Sequence, residues 1–169
     1  RAPTRELPYF RLDTGLVFER ASGSHGQRTQ TFEPQLTYTY LPYRNQDALP
    51  VFDTGLPDLN LVELFRTNRF VGADRVGDAN QLSIGMTTRL YDQTSGAQYL
   101  SATLGQTRYF KVPRVSLPGE ADSTGNSSDV VGQLMLTAYK NWNLKFEYQW
   151  DPSDSVTQKS QVALQYHPA

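Results

Sequence analysis

The sequence predicts an all-β fold: an antiparallel up-and-down meander of about seven strands, forming part of a transmembrane β-barrel. Three observations predict it. Apolar and polar residues alternate with period two along seven segments. The connections between them run short (21–27), long (42–80), short (93–97), long (111–129) and short (141–143), as in barrels with turns on one rim and loops on the other. Aromatic residues gather near strand ends, at Tyr9, Phe10, Tyr38, Tyr40, Tyr109, Phe110, Tyr139, Trp142, Tyr148 and Trp150, where rings would form interfacial girdles. An antiparallel sheet with one wet face shares the first pattern and stays open on that pattern alone.

The first strand, Tyr9 to Arg20, sets Phe10, Leu12, Leu16 and Phe18 against Arg11, Asp13 and Glu19. After a Ser/Gly turn, Thr31 to Leu41 sets Phe32, Leu36, Tyr38 and Tyr40 against Glu33, Gln35, Thr37 and Thr39. Pro34 in mid-run marks an edge, a bulge or a bend. Beyond the long insertion, Gln81 to Tyr91 sets Leu82, Ile84, Met86 and Leu90 against Ser83, Thr87, Arg89 and Tyr91. Gln98 to Phe110 follows, with Leu100, Ala102 and Leu104 on one face. Val130 to Lys140, Leu144 to Asp151 and Val156 to His167 complete the meander. There Leu134, Leu136, Phe146, Tyr148 and Leu164 oppose Gln133, Lys145, Glu147, Gln149, Lys159 and Gln161. The last connection, Pro152 to Ser155, falls on the long-loop rim and is nonetheless short. No helix pattern and no repeat is evident.

Bulk properties bound the function. A net charge of −1 over 169 residues argues against a nucleic-acid interface, which needs a basic face. The absence of cysteine removes disulfides and thiolate metal sites. The start has no apolar signal-peptide core, and no run approaches the ~18 apolar residues of a membrane helix. These facts fit a soluble protein, and a transmembrane β-barrel fits them equally, because its apolar signal is spread over alternate residues.

Several motifs invite chemistry. Asp-Thr-Gly occurs at Asp13–Gly15 and Asp53–Gly55, and two such triplets can build an aspartic-protease dyad. The copies lie too close in sequence for two lobes, and each is followed by Leu rather than a small residue. Asp74, Asp78 and Asn80 offer hard oxygens for calcium, but Arg69 and Arg75 sit among them and the spacing is not that of an EF-hand, so ion pairing within the loop is expected. His25 and His167 are isolated. Asn126-Ser127-Ser128 matches a glycosylation sequon too common to count. The 111–129 segment reads as an exposed loop tip. No catalytic residue, metal or cofactor is assigned.

The stretch Glu33 to Asp92 is the specific one. It contains Pro42-Tyr43-Arg44, Pro50-Val51-Phe52-Asp53, Leu64-Phe65-Arg66, Asn68-Arg69-Phe70, Asp74-Arg75 and Gly77-Asp78-Ala79-Asn80. Thr87-Thr88-Arg89 follows, with Gly105-Gln106 and Tyr109-Phe110 beyond it. This run resembles the central barrel region of the LptD family of lipopolysaccharide-assembly proteins; the flanks 1–30 and 111–169 fit by strand pattern.

The resemblance implies a barrel of roughly twenty-six strands in the outer membrane, with the lipoprotein LptE plugged in its lumen. Lipopolysaccharide would arrive along a periplasmic bridge and leave through a lateral gap. It also implies that residues 1–169 are an internal barrel segment, with the N-terminal jellyroll that meets the bridge proteins and the gate strands outside this chain. Taken alone, the segment is then expected not to close as a barrel. Arg11, Asp13, Glu19, Glu33, Arg89, Lys145, Glu147, Gln149 and Lys159 are expected to face a wet lumen. The loop motif of Arg66, Asn68, Arg69, Asp74, Arg75, Gly77, Asp78 and Asn80 is expected to fold over or into the extracellular mouth. Its Arg69, Asp74, Arg75 and Asp78 would pair with one another or with the plug. A porin-like barrel or a secreted β-sandwich binding module is the alternative.

Overall fold

Period-two alternation becomes one antiparallel sheet. The computed structural model describes residues 6–23, 27–120, 125–138 and 141–166. Its strands are β1 (Phe10–Gly15), β2 (Phe18–Ser22), β3 (Arg28–Leu41), β4 (Ala79–Asp92), β5 (Gln98–Tyr109), β6 (Val130–Ala138), β7 (Trp142–Asp151) and β8 (Val156–Tyr166). They run β1-β3-β4-β5-β6-β7-β8, with β1 and β2 both paired to β3 in succession, so from β2 onward each strand lies beside the next. His25, His167 and Tyr139 lie outside the described residues.

The first expected strand is two, and Pro34 is the reason. Gly15 pairs with Gln35 and Phe18 with Phe32, so register is kept across the break. Between them Leu16 donates its N–H to the Pro34 carbonyl at 3.1 Å, and Pro34 has no N–H to return. One missing ladder bond splits the strand. The ladder slips elsewhere at Leu90/Tyr91 and at Gln149/Trp150, both near strand ends.

Register places partners on one face. One row across the sheet is Phe32, Thr88, Ala102, Leu134, Phe146 and Val162; another is Glu33, Thr87, Thr103, Gln133, Glu147 and Gln161. The apolar rows run from half-buried to exposed: Phe146 and Leu134 are half-buried, while Leu104 is 54% accessible and Val162 65%. The polar rows hold the best-buried strand residues, with Thr37, Thr39 and Ser83 at 1%. A sheet in water does the reverse. Tyr148 falls in mid-sheet beside Gly132 rather than at a rim, and Tyr109 shares the polar face with Gln81.

What covers the polar face is the chain between β3 and β4. It contains a single-turn helix, α1 (Leu61–Leu64), which alternation and period do not reveal.

Candidate functional site

The candidate site is the seat of this loop on the polar face. Asn60 starts α1: its Oδ1 accepts from the N–H groups of Val62 and Glu63 at 2.8 and 3.0 Å. Glu63 in the first turn then pairs with Arg66 at 3.0 Å. At the other end the sheet satisfies the helix. Ser83 Oγ donates to the Leu64 carbonyl at 2.7 Å and lies 2.7 Å from Thr107 Oγ1. Arg11 donates to the Phe65 carbonyl at 2.8 Å and to Thr67 Oγ1 at 3.0 Å. The same guanidinium grips both oxygens of Asp13 at 2.7 and 2.8 Å, and Thr37 donates to Asp13 at 2.7 Å.

The apolar anchors need flat wall. Leu64 is 2% exposed, and a Cβ on Gly105 would stand 2.5 Å from its Cδ2. A Cβ on Gly85, the partner of Gly105, would stand 2.7 Å from Phe65 Cζ. Two glycines thus make the depression that receives both side chains.

The rest of the loop is held by side chains bonding to backbone. The Asp74 carboxylate accepts from Phe52 and Asp53 N–H at 2.7 and 2.8 Å. The N–H of Asp53, then of Phe52, holds this carboxyl below the usual Asp range. Asn68 accepts from Gly77 N–H at 2.8 Å and donates to the Arg75 carbonyl at 3.1 Å. Gly55 and Val71 form an antiparallel bridge. Gly72 has φ +86°, and a Cβ there would lie 2.6 Å from the Asp53 carbonyl oxygen.

The two long loops interlock, which differs from pairing inside the motif. Arg69 pairs with Glu120 at 3.1 Å, and Asp78 accepts from the N–H groups of Arg114 and Val115 at 2.8 Å each. Val115 is buried, so residues 111–120 are a packed partner of the first loop rather than a loose tip. Between the loops and the β7–β8 turn lies a cleft of about 960 Å³, bordered by Asp58, Arg66, Asp129, Gln149 and Asp154.

Register sets Arg11, Asp13, Glu19, Glu33, Arg89, Lys145, Glu147, Gln149 and Lys159 on the loop-covered face. Arg89 pairs with Glu33, Lys145 with Glu147 at 2.9 Å, and Lys159 with Asp58 of the loop at 3.5 Å. Gln149 donates to Asp129 at 2.7 Å.

The two Asp-Thr-Gly triplets are not brought together: Asp13 binds Arg11 and Thr37, while Asp53 Oδ1 accepts from Ala73 N–H at 3.4 Å. Asp74, Asp78 and Asn80 bond to three separate places, with Asn80 taking Tyr38 OH at 3.1 Å on the apolar face. No group of three or more His, Cys, Asp or Glu is set to hold a metal among the described residues. The sequence places Ser83 on the polar face and Gly105 in the motif run, but does not single out Ser83, Gly85, Gly105 and Thr107 as a seat. Their one signal is that each strand carries adjacent small residues on its polar face.

The family model described as LptD, LPS transport system D, matches residues 1–169. The chain is 38% identical over 165 residues to the LPS-assembly protein LptD of Thiobacillus denitrificans, covering 97% of this chain and 23% of that protein. It is 40% identical over 164 residues to the LPS-assembly protein LptD of Nitrosococcus oceani, covering 96% and 22%. The counterpart in Legionella pneumophila is 39% identical over 178 residues. The chain spans about a fifth of the length of these relatives. An inside-out meander and a matching sequence along its whole length place the chain in the LptD family of LPS transport proteins.

Proposed function

We propose that this chain is a section of the wall of a large outer-membrane β-barrel that assembles lipopolysaccharide at the cell surface. The observation that carries the reading is the inverted sheet. Leucine, valine and phenylalanine rows stand half-exposed to exposed, while the buried threonines and serine Thr37, Thr39, Ser83 and Thr107 lie on the loop-bearing face, which also carries the ion pairs. Lipid solvates the first face and a wet lumen the second. The seated loop then narrows the lumen at the long-loop mouth, beside the cleft at Asp58 and Gln149. The lumenal partner is a plug lipoprotein of the LptE kind, and the transported molecule is lipopolysaccharide delivered by the periplasmic Lpt bridge.

A photo-crosslinking residue in the full-length protein tests this. Placed at Glu147 and Gln149, it captures the plug lipoprotein or lipopolysaccharide; placed at Phe146 and Tyr148, it captures neither plug nor soluble protein. Equal capture from both pairs overturns the reading.

A further inference from the structure

Four cations gather where the apolar face meets the long-loop rim. One row across that face is Leu12, Tyr38, Leu82 and Arg108, and the next is Phe10, Tyr40 and Asn80. The rings of Phe10, Tyr38 and Phe110 form a line there, with successive centroids 6.3 and 6.2 Å apart. Arg108 stands exposed in the aromatic rows, and Arg44, Lys111 and Arg114 are exposed on the two loops that leave this rim. The loops meet here: Phe110 donates its N–H to the Asn80 carbonyl at 2.8 Å, and the Arg114 guanidinium lies 4.0 Å over the Tyr43 ring. Among the described residues none of the four has a carboxylate at ion-pair distance, whereas Arg11, Arg66, Arg69 and Arg89 each have one.

Cations beside an aromatic belt lie at the depth of lipid headgroups. We infer that this rim binds the polyanionic, phosphorylated headgroup of a lipid seated against the outside of the wall. Arg108, Lys111 and Arg114 follow one another along a single strand exit, so a headgroup with several charges can bridge them; a singly charged one engages fewer. Arg108 lies on the sheet face opposite the cleft and the loop seat, and Arg44, Lys111 and Arg114 lie on the loops above the rim, outside the cleft lining. Such a site would hold an annular lipid and not one in transit. The inference rests on the membrane-wall reading above.

The test uses the full-length protein in phosphatidylcholine nanodiscs carrying diphosphoryl lipid A, dephosphorylated lipid A or phosphatidylglycerol. Lipid retained per protein is counted by native mass spectrometry. Neutralising each cation is worth about fivefold, so replacing all four (Arg44→Gln, Arg108→Gln, Lys111→Gln, Arg114→Gln) should lower diphosphoryl lipid A retention by about 600-fold where the four add, and by more than about tenfold where only two engage the headgroup. The dephosphorylated form should be unaffected. Should that variant fail to fold, the pairs Arg44→Gln/Arg114→Gln and Arg108→Gln/Lys111→Gln carry the same readout. Equal retention by wild type and variant overturns the inference, and so does phosphatidylglycerol binding as well as diphosphoryl lipid A. A fluorophore at Leu104, quenched by acyl-brominated lipid, separates the two levels. Quenching with no cation effect rejects this site alone, and no quenching rejects the membrane wall beneath it.

Discussion

Gly85 and Gly105 face each other across β4 and β5, and the space their missing side chains leave is filled by Phe65 and Leu64 of the loop. The wall is therefore shaped for this loop, and the loop for this wall. Gly105→Val would improve strand propensity while overpacking the seat by about 1–3 kcal/mol. The expected outcome in the full-length protein is a barrel of unchanged heat-modifiable mobility whose loop is cut by trypsin at Arg66. A loop that stays protected would mean the seat is not what holds it.

Arg11 joins the first strand to the loop through one planar group that serves the Asp13 carboxylate and the Phe65 carbonyl together. A lysine cannot serve both in that geometry. Arg11→Lys should weaken loop docking by about 1 kcal/mol, because Arg11 is partly exposed and water takes up some of the loss. Amide hydrogen exchange at Phe65 to Asn68 should quicken about fivefold, with exchange in β4 and β5 unchanged. Equal quickening in the strands would show a global effect instead.

Ser83 tests the buried end of the same seat. Its hydroxyl is the donor to the Leu64 carbonyl, and it is 1% exposed. Ser83→Ala leaves that carbonyl without this partner where water does not reach, at a cost of about 1–3 kcal/mol. Combined with Arg11→Lys, the losses should exceed either alone, because both bonds end on the last turn of α1. A double-mutant cycle on loop exchange measures the coupling.

The strands were legible because burial by lipid imposes the same period as burial by a core. Phe32, Leu36 and Ile84 alternate whichever solvent they meet. The face assignment followed from that period. The loop's motifs carried the family resemblance, but its contacts were legible only as composition. Its Asp, Asn and Gly residues announce side-chain-to-backbone bonding, but the partners are remote: Asp74 with Phe52, and Asp78 with Arg114. Ionic pairing inside the motif was the natural expectation. The structure instead sends Arg69 to Glu120, because folding brings the second long loop alongside the first. The α1 turn was not legible, since four residues are too few to show a period and its last carbonyl is satisfied by the sheet.

Acid should loosen the loop at one identifiable point. The Asp74 carboxyl sits below its ordinary range because the N–H groups of Asp53 and Phe52 bind its ionised form. A depressed carboxyl adds stability that is fully present above its unfolded value and is lost as pH falls through the lower folded value. Opening of the 50–56 segment should therefore set in below the ordinary Asp range, seen as faster cleavage or cysteine labelling there. Asp74→Asn should be loose at neutral pH already and show no further acid step. A wild-type acid step that survives in Asp74→Asn would assign it to another group.

The inverted sheet makes the last prediction, which turns on face rather than on position. Leu104 lies mid-strand on the exposed apolar face between Met86 and Gly132, while Gln133 lies one row away on the opposite face beside Glu147. In lipid, Leu104→Arg places a cation near the bilayer middle and should cost about 2–4 kcal/mol. Gln133→Arg keeps a donor for the Glu147 carboxylate, which Gln133 already serves at 3.0 Å, and should cost little. Urea unfolding from phosphatidylcholine vesicles measures both. For a sheet in water the order reverses: a charge added to an already exposed face is cheap, and one pressed into the packed face is not. The sign of the difference between two arginines one row apart thus decides which solvent the apolar face meets.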